Sequence, residues 1–143
     1  VIGALTDDAK TLGKYGAAKV VNVTGDFKIF TNATFANAVK QIADQLAGTI
    51  FIISGTNNGK MLAPALAVQA DAALITNAIA LPESASPLTV KRSVFSSKGL
   101  ATFKSEAAKT VICIVPNAIG IVEVAAVGEV NSAQITADAN QND

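Results

Sequence analysis

The stretch TIFIISGTNNGKMLAPAL, residues 49–66, passes from a β-branched apolar run through a glycine-bounded turn into a helical pattern. A buried strand leading directly into a turn and a helix is the repeating unit of a parallel α/β sheet. The same turn comes close to a phosphate-binding loop. That motif needs a glycine, four residues and then Gly-Lys-Ser/Thr, so that backbone N–H groups wrap the phosphates and the hydroxyl holds Mg²⁺. Here only Thr56, Asn57 and Asn58 separate Gly55 from Gly59, and Met61 follows Lys60 where the hydroxyl belongs. The spacing therefore excludes nucleotide hydrolysis of that type. Two readings stay open: an anion site made of Gly55, Thr56, Asn57, Asn58, Gly59 and Lys60, or a sharp turn built from residues that turn well.

Upstream, TFANAVKQIADQLAG places Phe35, Ala38, Val39, Ile42, Ala43 and Leu46 at helical spacing, with Thr34 as the expected cap and Gly48 as the stop. VIGAL and AAKVVNVTG read as strands. DDAKTLGKYG between them reads as a weak helix capped by Thr6 or Asp7, and Gly25-Asp26 as a turn. TIFIIS is expected to be a fully buried strand. Downstream, KMLAPALAVQA predicts a helix in which Pro64 is tolerable in the first turn, where no N–H is needed.

The first half thus alternates strand and helix. In the second half AALITNAIAL, LTVKRSVF, GLATFKS, KTVICIVP and IGIVEVAAVGEV are strand-like and closely spaced, which predicts antiparallel pairing at one edge of the sheet. PESASP reads as a loop. An α/β domain over residues 1–130 and a polar tail or linker start over 131–143 follow.

The chain has 143 residues, enough for one domain with a true core. Half of them are hydrophobic, and eleven basic residues balance eleven acidic ones, so no overall charge draws the chain to nucleic acid or to an acidic membrane. There is no histidine, which removes the commonest general base and any histidine-containing metal site. No metal ligand set or catalytic constellation is visible. The single Cys113 lies in an apolar run and reads as a buried structural thiol. The one nucleophilic arrangement left is Ser96 or Ser97 with Lys98. Neighbours on a strand point to opposite faces, so only Ser96 and Lys98 share one, in what reads as a hairpin turn. No apolar run is long enough to span a membrane, and no signal peptide is visible.

Two stretches carry a resemblance. GTNNGKMLAPALAVQADAALITNAIAL resembles a segment of electron transfer flavoprotein alpha subunits, matching at Gly55, Thr56, Gly59, Lys60, Leu62, Pro64 and Ala67. LTVKRSVFSSKGLATFKSEAAKTVICIVPNAI resembles a second segment, matching at Arg92, Val94, Phe95 in place of tyrosine, Leu100, Ala101 and Thr102, then residues 110–115 and Pro116. The sequence departs from the pattern at Ser93, which replaces a proline, at Ser97 and Lys98 before Gly99, and after Lys60, where an aspartate is missing. It reads as a divergent member.

The resemblance implies a three-layer Rossmann-like domain, of the adenine nucleotide alpha hydrolase type, from the amino-terminal part of the alpha subunit. That domain usually begins one strand and helix earlier, so Val1 is expected to lie inside it. FAD is expected in a separate carboxyl-terminal domain outside this chain. The resemblance further implies a non-catalytic scaffold docking the beta subunit of a heterodimer that takes electrons from dehydrogenases. It implies a cytoplasmic setting in a bacterium rather than a mitochondrial matrix. Phe30, Phe95 and Phe103 are interface candidates, with Phe103 read as core. The equivalent beta-subunit region helps bind AMP, which keeps an adenine-nucleotide module as the alternative.

Overall fold

The computed structural model describes residues 1–2, 8–25, 27–125 and 128–135. The expected caps Thr6 and Asp7, the turn residue Asp26, most of VIGAL and the last part of the tail lie outside them.

Asp8 caps a 3₁₀ helix, Ala9–Tyr15, by accepting from the Lys10 N–H, and Gly16 closes it in the left-handed conformation at φ 93°. Strand β1 (Lys19–Thr24) follows, then α1 (Asn32–Gln45). The cap of α1 is Thr31 rather than Thr34: its hydroxyl accepts from the Thr34 N–H, the donor three residues on that a cap must satisfy. At the other end Ala47 takes the left-handed conformation (φ 53°), and Gly48 N–H donates back to Ala43 C=O at 2.8 Å. Gly48 thus helps close the helix from one position further out than a glycine stop.

Next come β2 (Ile50–Ser54), α2 (Asn57–Gln69) and β3 (Ala73–Ala78). Pro64 falls well inside α2 rather than in its first turn. The helix starts at Asn57, because Thr56 is the cap, so Lys60 C=O loses its helical donor; it lies at an exposed position where water can replace that donor. The short β4 (Ser84–Ala85) occupies part of the expected PESASP loop, ahead of β5 (Leu88–Val94) and β6 (Gly99–Ser105). Strands β7 (Thr110–Ile114) and β8 (Glu129–Gln134) complete the order.

The fold is α/β, a parallel sheet extended by antiparallel strands, as a Rossmann-like domain requires. The parallel part is β2-β7-β3, and β5 joins β3 antiparallel, with β4 and β6 antiparallel to β5. Three of the strands expected at an antiparallel edge depart from that expectation: β3 runs parallel to β7, β8 pairs in parallel with β1, and β7 moves furthest. β7 does not join the antiparallel edge; it inserts between β2 and β3, parallel to both. Four of its five residues, Thr110, Val111, Ile112 and Cys113, are buried, the pattern of a central strand covered on both faces. β2 is consequently an edge strand and not fully buried: Ile50 is 40% and Ile52 54% exposed.

Three layers result. On one face, α1 and α2 cover Phe51, Val111 and Cys113 through Ala36, Ala63, Leu66, Ala67 and Ala70. The alanines let helix and sheet approach closely. On the other face Leu88 and Val90, from the antiparallel leaf β4–β6, pack with Ile75, Ala78 and Ile112. Ser105 Oγ and Thr110 Oγ1, 2.9 Å apart and buried, tie the leaf to the start of β7.

The second sheet is small. β1 and β8 pair in parallel over six residues and pack Val23 and Ile135 against Ala38 of α1. β8 runs through Gln134, beyond residue 130. The stretch expected to be strand-like at 119–130 is instead without strand over residues 119–125, and only its end enters β8. Pro116 and Gly120 interrupt the pattern there, and Val124 N–H turns aside to donate to Lys14 C=O.

Leu66 is fully buried beneath α2, so Leu66→Ala is expected to cost about 2–5 kcal/mol, read as a fall in the urea midpoint at unchanged m. Asp44 is held below the ordinary carboxylate range, first by the hydrogen bond from Lys40 and then by that from Lys109. Its stabilising contribution is present above the usual carboxylate pKa and is lost as pH falls through the depressed value. Lys109→Met is expected to move the Asp44 titration, followed by carboxyl NMR, upward toward the ordinary range.

Candidate functional site

In open α/β sheets ligands bind beyond the carboxyl ends of the strands, and there the 55–60 turn lies. Strand β2 ends at Ser54, and Gly55 N–H donates to Ile114 C=O of β7 at 2.7 Å. A Cβ on Gly55 would sit 2.8 Å from that same oxygen, so only glycine lets the chain run this close to β7. Thr56 then caps α2, its hydroxyl accepting from Gly59 N–H at 3.2 Å. Lys60 N–H donates to Thr56 C=O at 2.9 Å, the first helical bond. Gly59 is required for a different reason: a Cβ there would fall 1.9 Å from Ser54 C=O. The turn is folded against the end of its own strand.

This geometry brings all six candidates into one turn but divides their amides. Those of Gly55, Gly59 and Lys60 are engaged by protein acceptors, whereas those of Thr56, Asn57 and Asn58 lie at the exposed first turn of α2. In a phosphate loop successive amides converge on the anion. Here the two glycine amides, the ones such a loop depends on, are turned inward. Lys60 is exposed, and its charge is felt at Cys113. Burial pushes the Cys113 thiol up and the Lys60 ammonium offsets part of that rise, so Cys113 is a protonated, packed side chain.

The Ser–Lys candidates lie at the β5–β6 hairpin. Phe95, Ser96 and Ser97 are all left-handed, at φ 51°, 50° and 64°, and Lys98 N–H closes the turn on Phe95 C=O. Three successive non-glycine residues in that region cost about 1–2 kcal/mol each. The tip holds Phe95 out at 81% exposure. Ser96, Ser97 and Lys98 are exposed, with no buried base or oxyanion donor beside them among the described residues. Phe103, read as core, is 39% exposed under the Arg92 guanidinium, 4.8 Å from its ring centroid. Phe30 is half-buried against Phe35.

An apolar surface escaped the sequence reading. Ile119, Ile121 and Val122, with Leu81 and Tyr15, line a cavity of about 440 Å³. Loss of alternation after Pro116 and around Gly120 was its only local signal.

Residues 1–140 match the model of one protein family, the electron transfer flavoprotein domain. The chain belongs to that family. None of the curated proteins matches it. An electron transfer flavoprotein domain carries electrons rather than catalysing a reaction, and it works with a partner inside an electron-transfer complex. No helix among the described residues is long and apolar enough to cross a membrane.

Gly59→Ala is expected to destabilise this electron transfer flavoprotein domain by about 1–3 kcal/mol or more, because Ser54 C=O cannot yield without breaking the β2–α2 turn. Thermal unfolding of the variant would check it.

Proposed function

We propose that the chain is the amino-terminal-type domain of an electron transfer flavoprotein alpha subunit, a non-catalytic scaffold that docks the beta subunit and supports a separate FAD domain. The carrying observation is the fate of the 55–60 amides. With Gly55 N–H given to Ile114 and Gly59 N–H given to Thr56, the residues present do not fit the diphosphate of a flavin nucleotide, and no step of flavin chemistry is assigned to them. FAD then belongs outside this chain, where electrons arrive from dehydrogenases and leave to a membrane-linked acceptor. The order of the two alpha-like segments supports the choice of subunit.

Docking needs apolar surface that a monomer would not keep in water. Phe95 and Leu100 on the leaf, and Leu81, Ile121 and Val122 around the apolar cavity, are exposed and supply it. A second reading, an adenine-nucleotide module, rests on the amides of Thr56, Asn57 and Asn58 at the head of the thirteen-residue α2.

Co-expression with a beta subunit tests the proposal. The expected result is co-elution on size exclusion, with no flavin band in the visible spectrum of this chain alone. A chain that is yellow when pure would overturn it. AMP that shifts the Asn57 and Asn58 amides, with Kd below about 100 μM, would establish the second reading instead.

A further inference from the structure

Asn58 is the only asparagine of the chain that is followed by glycine. In such a pair the glycine nitrogen can attack the asparagine side-chain amide, because no Cβ on the following residue hinders the approach. The Gly59 nitrogen bonds to the Asn58 Cγ, its proton leaves with the side-chain nitrogen as ammonia, and a five-membered imide remains. Water then opens the imide at either carbonyl. One product is aspartate at position 58. The other is isoaspartate, whose main chain is one carbon longer.

The chain cannot escape this pair by changing its glycine, since a Cβ on Gly59 would fall 1.9 Å from Ser54 C=O. The fold closes the reaction instead. Asn58 lies in the first turn of α2 with helical backbone, and Gly59 N–H is donated to Thr56 Oγ1 at 3.2 Å. Ring closure requires Asn58 to leave the helical conformation and that hydrogen bond to break. The barrier is local. Thr56, Asn57 and Asn58 are exposed, and Pro64 removes the hydrogen bond to Lys60 C=O that would tie the first turn to the second.

We infer that Asn58 is a site of non-enzymatic deamidation, held shut by the Thr56 cap and opened by fraying of the first turn of α2 alone. The two products act in opposite directions. Aspartate places negative charge in a first turn that holds no acidic residue, where the helix dipole favours it. Isoaspartate displaces Gly59 by one carbon against Ser54 C=O, where there is no room, and opens the β2–α2 turn.

Mass spectrometry of the whole chain aged in mildly alkaline buffer, with peptide mapping at residue 58, tests this. Conversion in the folded chain is expected to be at least about tenfold slower than in unfolding urea. Urea short of the unfolding transition is expected to leave the folded rate unchanged, because fraying of one turn exposes little surface. Thr56→Ala removes the cap and is expected to raise the rate about fivefold, whereas Thr56→Ser keeps the hydroxyl and the parent rate. Asn58→Asp is expected to unfold at a higher temperature than the parent. The inference is overturned if the folded chain converts as fast as the unfolded one, or if Thr56→Ala converts no faster than Thr56→Ser. A rate that climbs with urea along the global unfolding curve overturns it equally, and this measurement on the parent decides where Thr56→Ala does not fold. An Asn58→Asp midpoint below the parent's overturns the assignment of the products.

Discussion

The contact between Gly55 N–H and Ile114 C=O organises the molecule. Strand β7 enters late in the chain yet occupies the middle of the parallel sheet, so the β2–α2–β3 crossover has to step over it. The crossover stays close only because Gly55 has no side chain to strike Ile114 C=O, and because Gly59 lets α2 fold directly onto Ser54. On the far side Val115 N–H donates to Ala78 C=O, so the carboxyl ends of all three strands are tied together. The same closeness decides the chemistry. An amide spent on β7 is not available to a phosphate, and the packing solution of the sheet removes the amides that a nucleotide loop would need.

How much of this was legible depends on where the information lies. The two long helices follow from periodicity, and the buried thiol from its apolar run, because both signals are local. The place of β7 is not local. Its four buried residues in a row distinguish a central strand from an edge one, but which strands flank it is settled by pairing across more than thirty residues of sequence. Reading TIFIIS as fully buried failed for the same reason: an apolar strand does not announce whether a second neighbour exists. β8 was missed because Glu-Val-Asn-Ser-Ala-Gln is polar. Its ladder with β1, rather than a packed side-chain face, holds it.

The turn itself was half legible. Spacing alone told that the hydrolytic motif was absent, and favoured a plain turn without closing off the anion site. Thr56 engages the Gly59 and Lys60 amides from within the turn, but the acceptor of the Gly55 amide lies on β7, which no window around residues 55–60 contains. Pro64 is similar. Its effect depends on where the helix begins, and the Thr56 hydroxyl, reaching Gly59 N–H, sets that point.

The surface carries the last part of the reasoning. Charge is sparse, 15% of residues, and α2 is apolar outside as well as inside: Met61 and Val68 are exposed on the face opposite Leu66. A helix apolar all round belongs in an interior. The hairpin reinforces this, since holding Phe95 in water on a strained turn is doubly unfavourable unless something receives the ring. Exposed apolar surface is thus spread along a strand edge, a helix face and a hairpin tip, which agrees with a domain that works with a partner inside an electron-transfer complex.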